Sequence, residues 1–362
     1  MGQSQELNQY DWTALVKKLN EEAASEADAW IQADVKISSS KGIMKSLFCF
    51  FTASPSESLP KGVFYGFMNR YLAVMRQLMT YAKYWEIKNE NIITDGKFPI
   101  PESCLKWDGE SIPLTVVVPT LNEEVNIEEC LNGVKGWADE IIVMDDGSTD
   151  RTVELAQRIA TRVIEKKMKN EGVHRNWAMT QAKNDMIFFI DADEIPTYEL
   201  KKELAEHMAR NSAETYSPAM KTYIGKYWVQ HSGWYPANKL RVMDRRKQWY
   251  KEEEVHPPIA NKTSCIRLDN DLIHKGYPDF AHFLGSLNHQ TTLEAGKWKR
   301  MGRRMRKRKA FWRAFDRFFR VFLRKEGHKD GFIGFVIAYF ASAYQVLSYA
   351  KYREVMKGES NS

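Results

Sequence analysis

Two carboxylates one residue apart, Asp191-Ala192-Asp193, directly follow the apolar run Ile187-Phe188-Phe189-Ile190. At the end of a buried strand both can reach one hard divalent cation. Mg²⁺ or Mn²⁺ accepts a few carboxylates and fills its shell with substrate phosphates and water. Such a cation neutralises charge developing on a departing diphosphate. Alone, the pair would better suit a solvated turn, but it has company. Asp145-Asp146-Gly147-Ser148-Thr149-Asp150 closes an earlier apolar run. Its glycine permits a tight turn, its Ser and Thr can cap the next helix, and its acids suit a base or a sugar hydroxyl. Pro119-Thr120-Leu121-Asn122-Glu123-Glu124 ends another run in the same way, and Gly172-Val173-His174-Arg175-Asn176 lies further on. Arg175 suits a phosphate and Asn176 suits holding its loop.

In order and spacing these four motifs resemble glycosyltransferase family 2 over residues 112–200. The resemblance implies an inverting enzyme of the GT-A fold. Carried over residue by residue, it assigns Pro119, Asn122, Glu123, Asp145, Asp146, Asn176 and Asp191 to the nucleotide-sugar. It puts Arg175 near the diphosphate, and makes Asp191 and Asp193 the ligands of Mn²⁺ or Mg²⁺. Gly233 to Met243, Val255-His256, and Leu272 to Pro278 with a helix to His289 are similar to the bacterial lipopolysaccharide-core branch. The likeness then covers residues 112–355 and stops short of the first 110. That branch has an acid after the histidine. Here Pro257 follows His256, while Glu252, Glu253 and Glu254 precede it. The general base is therefore assigned to Glu254 or His256, with Glu194 next.

What the resemblance implies is transfer of a sugar from a nucleotide-sugar, UDP-linked by preference, to a hydroxyl of a glycan or lipid-linked acceptor. A protein-glycosylating transferase is a variant of this reading. A catalytically silent GT-A domain, binding nucleotide as an interaction module, is the alternative. A nucleotidyltransferase would want a Gly-rich phosphate loop after the first strand, and Pro119 to Glu124 has none.

The elements that position these residues are legible as alternating periods. Leu114–Val118, Glu140–Met144, Arg162–Ile164 and Met186–Ile190 read as strands; Val125–Trp137, Thr152–Ala160 and Trp177–Ala182 read as helices. Alternation of this kind predicts an α/β fold, with a mainly parallel sheet covered by helices on both faces and ligands at the carboxyl ends of the strands. Residues 1–110 read as a helical N-terminal extension packing on the main domain, with Trp12, Leu15, Val16 and Leu19 at helical spacing. The expected organisation is thus 1–110 helical, 111–295 catalytic and 296–362 a basic tail.

The chain of 362 residues is 43% hydrophobic, which rules out wholesale disorder. Four cysteines without a CxxC pair argue against a zinc ribbon or a disulfide scaffold. The start, Met1-Gly2-Gln3-Ser4-Gln5-Glu6, shows no secretory signal, and Glu6 breaks the myristoylation pattern. Charge is unevenly placed. Lys297 to Lys329 holds fifteen Lys/Arg against two acids, a net +13 that leaves −7 for the rest of a chain whose total is +6. On a helix from Phe311 to Arg324, Phe311, Phe315, Phe318, Phe319 and Phe322 share one arc, opposite Arg313, Arg317, Arg320 and Arg324. This pattern fits an anionic membrane surface, on the cytoplasmic face, with Arg313, Phe315, Arg317, Phe318, Arg320 and Phe322 as contacts. Aromatics confined to one face, instead of interleaved for base stacking, argue against nucleic acid. Gly331 to Ala350 carries no charge, so an interfacial tail, a packed hairpin and a membrane span all remain open; Gly334, Ala338 and Ser342 form a small-residue stripe suited to close packing.

Overall fold

The computed structural model describes residues 11–53, 62–93, 98–168, 170–211, 213–252, 258–260 and 264–360. They form two compact units. One gathers the chain up to Ile92, Val229–Gly233 and the chain from Tyr277; the other holds Ile93–Trp228 and Trp234–Gly276.

The helical unit begins with α1 (Trp12–Gln32), α2 (Ser39–Thr52) and α3 (Val63–Lys88). Asp11 starts α1 by accepting from the amides of Thr13 and Ala14, at 2.9 and 3.0 Å. Trp12, Val16, Leu19, Ala23 and Ala27 are buried, the stripe that a period of 3.6 demands.

The α/β unit runs β1 (Ile112–Thr120), α4 (Ile127–Val134), β2 (Ala138–Asp145), α5 (Thr152–Gln157), β3 (Arg162–Glu165), α6 (Glu171–Gln181) and β4 (Met186–Phe189). It continues with β5 (Glu194–Pro196), α7 (Tyr198–Ala209), β6 (Thr215–Ile224), β7 (Tyr227–Trp228), β8 (Val242–Asp244) and β9 (Cys265–Tyr277). Among the described residues these strands make one sheet in the order β3-β2-β1-β4-β8-β6-β9-β5, with β7 beside β6. The β3-β2-β1-β4 half is parallel, as the alternating pattern predicts. β8 then joins β4 antiparallel and β6 joins β8 antiparallel. Val116, Val118, Phe188 and Ile190 point to one core, with Ile127 and Leu131 of α4 and Leu204 of α7. Val117, Ile187 and Phe189 point to the other, with Ala178 and Met179 of α6. A strand buried on both faces explains why Val116-Val117-Val118 shows no polar alternation.

Several boundaries differ from the sequence pattern, two of them for a visible local reason. α4 stops at Val134, because Lys135 turns extended and Gly136 takes φ 77°. α6 starts at Glu171, well before Trp177, because the Asn170 side chain caps it by accepting from the Val173 amide at 3.1 Å.

The helical unit is completed by α8 (Phe280–Arg300), α9 (Lys307–Phe319), a π turn over Arg320–Arg324 and α10 (Gly331–Ser360). α10 is long and apolar enough to cross a membrane, yet its most apolar window is 83% buried inside the protein. Its small-residue stripe serves that packing. A Cβ at Gly334 would lie 1.7 Å from the Gly327 carbonyl oxygen, and Tyr71 donates to Ser342 at 3.4 Å. Lys351 ties α10 to α8 by donating to Asn288 O and Oδ1, both at 2.6 Å, and to Thr292 Oγ1 at 2.8 Å.

Candidate active site

The carboxyl ends of β1 and β2 lie in register, Thr120 opposite Asp145. Asp145 is buried and takes up its turn: it accepts from the amides of Gly147 and Ser148, both at 2.8 Å, and from Thr120 Oγ1 at 3.2 Å. Asn122 sits at φ 56°, in the left-handed region that asparagine tolerates. Its Oδ1 accepts from the Thr149 amide at 2.8 Å while its own amide donates to Ser148 Oγ at 2.8 Å. The Glu123 amide donates to Thr152 Oγ1 at 2.7 Å, and the Glu124 amide to Asp150 at 3.1 Å. Backbone and side chains of Asn122–Glu124 and Ser148–Thr152 are thus laced into one rigid double turn. Asp146 stands on this turn, half-exposed, with Oδ1 accepting from the Met168 amide. Pro119, one residue before the end of β1, pairs with Met144.

Next to β1 in the sheet, β4 leads into Asp191 and Asp193, and Glu194 opens β5. Glu194 is wholly buried, with Oε2 accepting from the Asp191 amide at 3.0 Å and Oε1 on the Arg241 guanidinium. The same Arg241 nitrogen donates to Asp191 Oδ2 at 2.9 Å. Arg175, stacked over the rings of Phe189 and Tyr250 at 5.2 and 5.4 Å, brings its Nη2 within 3.9 Å of Asp191 Oδ1. Burial pushes the Asp191 carboxyl up, but Arg241 and Arg175 outweigh it and hold Asp191 below its ordinary value. Burial dominates at Glu194, which ends above its ordinary value despite Arg241. Asp193 meets His274 Nε2 at 3.2 Å, and its carbonyl accepts from the Lys275 amide at 3.0 Å. Burial lowers the imidazole's pKa, but the bond to Asp193 prevails and raises it. Lys275 pairs with Glu129 and donates to Asn126 at 3.2 Å; Asn126 in turn donates to Glu123 at 2.9 Å. Burial raises the Glu123 carboxyl, with Asp193 nearby adding to the effect against the Asn126 bond.

α6 carries the third part. Asn176 spends its whole amide on Tyr250, donating to the carbonyl and accepting from the N–H, both at 2.8 Å. A Cβ at Gly172 would lie 2.0 Å from Lys251 O, so only glycine lets the chain pass there. The Lys251 amide donates to Pro258 O at 2.9 Å and the Ala260 amide to Trp249 O at 2.8 Å. The residues framing 253–257 are therefore fixed against α6. Glu254 and His256 themselves lie outside the described residues.

Asp146, Glu123, Arg175, Asp191 and Asp193 thus come from separate motifs to one end of the parallel sheet. Asp145 and Asn176 are there too, but their polar atoms hold the turn and the Tyr250 segment. Sequence reasoning gave no role to Arg241, His274 or Lys275, although each stands in a stretch matching the lipopolysaccharide-core pattern. The signal was an arginine next to the apolar pair Val242-Met243 and a histidine-lysine pair directly after Leu272-Ile273. Among the described residues, no group of three or more His, Cys, Asp or Glu is placed to hold a metal. The donor set is two carboxylates flanked by cations, which suits a hard ion only where phosphate oxygens and water complete the shell.

The residues expected at a membrane divide on α9 and its π turn. Phe315 is exposed and stacks with Trp312 at 6.0 Å, whereas Phe318 and Phe322 turn onto Phe335 of α10, at 5.6 and 5.8 Å. Arg313 lies over the Trp298 ring at 5.8 Å, Arg317 is half-buried, and Arg320 pairs with Asp316.

Comparison with known proteins accords with the strand-end geometry. Residues 115–265 match the model of glycosyl transferase family 2. An uncharacterized glycosyltransferase of Rickettsia bellii is 30% identical over 181 residues, covering 50% of this chain and 52% of the relative. This chain thus spans about half the length of that relative. The lipopolysaccharide core biosynthesis glycosyltransferase LpsC of Rhizobium meliloti is 25% identical, covering 69% of this chain and 96% of the relative. The crystal structure of S. aureus TarS 1-349 in complex with UDP superposes with a TM-score of 0.37 at 17% identity, covering 68% of this chain and 91% of that one. The match to glycosyl transferase family 2 is confined to residues 115–265 of this chain.

Proposed function

We propose that the chain is an inverting, metal-dependent glycosyltransferase. It moves a sugar from a nucleotide-sugar, UDP-linked by preference, to a hydroxyl of a glycan or lipid-linked acceptor at the cytoplasmic face of a membrane. The observation that carries this reading is Asp191 and Asp193 at the carboxyl end of β4, with Arg175 3.9 Å from Asp191 and the Asn122–Asp146 turn on the adjoining strands. The name of LpsC, a lipopolysaccharide core enzyme, favours a surface-glycan acceptor.

Each group has a task. Asp146 and the laced turn around Asn122 and Glu123 hold the nucleoside. Arg175 meets the diphosphate, its charge directed by stacking on Phe189 and Tyr250. Asp191 and Asp193 are the residues that would hold Mn²⁺ or Mg²⁺, which would neutralise charge on the leaving diphosphate. Glu194 and Arg241 are positioning residues: they aim Asp191. The acceptor oxygen bonds to the anomeric carbon as the bond from that carbon to the diphosphate breaks, and the hydroxyl proton passes to a base. The base is Glu254 or His256, in the segment framed by Lys251 and Pro258. Trp312 and Phe315 of α9 enter the lipid interface beside cationic neighbours, where lipid-linked acceptors are found.

A donor screen tests the reading: purified protein with Mn²⁺ and UDP-, GDP- or ADP-sugars, scored by nucleotide release. One donor class should turn over. EDTA should abolish release, and Asp193→Ala should lower it about a hundredfold or more. Release that survives both treatments would sink the metal-assisted mechanism, and failure to bind any donor would sink the assignment itself.

A further inference from the structure

α2 is built inside out. Gly42 and Ser46 are its buried residues, with Gly42 so close to Tyr81 that a Cβ would come within 2.6 Å of the ring. Four of its large apolar residues face away, while Ile43 and Phe50 are half-buried. Phe48 is 63% exposed and Phe51 75%, with Met44 and Leu47 exposed beside them. At about 100° per residue these four share one arc of about 100°, opposite Gly42 and Ser46. A soluble helix buries such a stripe; exposing it marks a surface made for contact.

The stripe has a counterpart. On α9, Trp312 is 69% exposed and Phe315 57%, followed by exposed Phe319 and Leu323. The two are joined by an aromatic ladder: Phe51 to Phe50 at 5.6 Å, Phe50 to Phe67 at 5.8 Å, and Phe67 to Phe311 at 4.6 Å, next to Trp312. Charge fixes the kind of partner. α2 contains Lys41 and Lys45 and no acid, and both lysines border the apolar arc on one side. From Lys307 to Arg324 there are seven basic residues and one acid, Asp316, which Arg320 neutralises. Apolar stripes edged by an excess of basic over acidic residues match the acyl-headgroup boundary of an anionic bilayer.

We infer that α2 is a second lipid-docking helix, which seats the protein on an anionic membrane surface together with α9. This rests on the reading of α9 as an interfacial helix, and the experiment separates the two. The full chain is floated with vesicles of phosphatidylcholine alone, and with vesicles in which about a third of the lipid is phosphatidylglycerol. It should float with the anionic vesicles and not with the neutral ones. Phe48→Ser/Phe51→Ser on α2 should weaken binding about tenfold or more, and so should Trp312→Ser/Phe315→Ser on α9. Lys41→Gln/Lys45→Gln leaves the apolar arc intact and should also weaken anionic binding about tenfold. Both α2 variants should keep wild-type thermal unfolding and nucleotide release. Loss confined to the α9 variant overturns the role of α2 and leaves α9 standing; loss confined to the α2 variants keeps it and removes α9. If the α2 variants float normally but change the oligomeric mass, the face joins two copies and the inference is wrong. Equal flotation with neutral vesicles also overturns it.

Discussion

Arg241 sets one guanidinium nitrogen between two carboxylates, 2.9 Å from Asp191 Oδ2 and in direct contact with Glu194 Oε1. Glu194 is wholly buried and closes the ring by accepting the Asp191 amide. The arginine directly precedes β8, the antiparallel neighbour of β4, so the antiparallel half of the sheet clamps the end of the parallel half. Among the described residues the buried Arg241 Nε atom has no hydrogen-bond partner, a cost borne to keep this clamp.

Arg241→Gln should therefore damage both stability and turnover. It leaves Glu194 as a buried charge with no cation, a loss of about 3–5 kcal/mol. Adding Glu194→Gln should restore most of the stability, because the uncompensated charge is gone. Turnover should stay low, because Asp191 is no longer aimed. Urea unfolding and nucleotide release on the single and double variants read the two effects separately. Full recovery of release in the double variant would remove the positioning role.

The Tyr250 segment offers a second test. Asn176→Ala strands both the N–H and the carbonyl of Tyr250, at about 1–3 kcal/mol. Gly172→Ala drives a methyl into the Lys251 carbonyl and should cost about 1–3 kcal/mol by overpacking. Both changes loosen the frame around 253–257, where the base is assigned. Nucleotide release with acceptor present should fall more than donor binding measured by calorimetry. Equal losses in both would place the segment at the donor instead.

Lys201 of α7 holds a joint that no motif announces. It is buried, and its ammonium donates to the carbonyls of Cys104, Lys106 and Gly133 at 2.9, 2.8 and 3.2 Å. Burial lowers its pKa to about 8. Lys201→Met keeps much of the volume but orphans three carbonyls, two of them in the turn around Cys104. The variant should lose about 2–4 kcal/mol in urea unfolding, with donor affinity little changed. A shift under about 0.5 kcal/mol would mean that water replaces the ammonium.

How much of this was written in the sequence depends on the range of the interaction. Val116-Val117-Val118 and Ile187-Phe188-Phe189 are local patterns, so the parallel strands and the carboxylates at their ends were legible. The Asn170 cap was a one-residue signal and was missed, which shortened α6 and left Arg175 on a loop. Arg241, His274 and Lys275 lie 48 to 84 residues from Asp191 and Asp193 in the chain, and only the closed sheet brings them together. The aromatic arc of the tail was read correctly as a periodicity. Its division was not legible: Phe318 and Phe322 face inward because Phe335 of α10 is there, and Trp312 takes the outer position. The outward stripe of α2 was hidden for the same reason. Met44, Leu47, Phe48 and Phe51 face outward because Tyr81 packs on Gly42, on the opposite side of α2.

The helical unit carries its own pH dependence. Glu86 is buried on α3 and accepts from the Phe280 amide at the start of α8, at 2.7 Å. Burial is the main cause that raises its pKa from 4.5 to about 8, with Asp279 adding to it against the amide bond. A carboxyl whose folded pKa is raised keeps its proton in the native state after the unfolded chain has lost it. Its stabilisation is complete below the unfolded value and drains away as pH rises through the folded one. The α3–α8 joint should therefore weaken between pH 4.5 and about 8. Glu86→Gln holds the neutral shape at every pH, so it should flatten this slope while leaving stability at the acid end near wild type. Urea midpoints of both proteins across that window decide the matter. Parallel curves would show that Glu86 is already ionised in the folded protein.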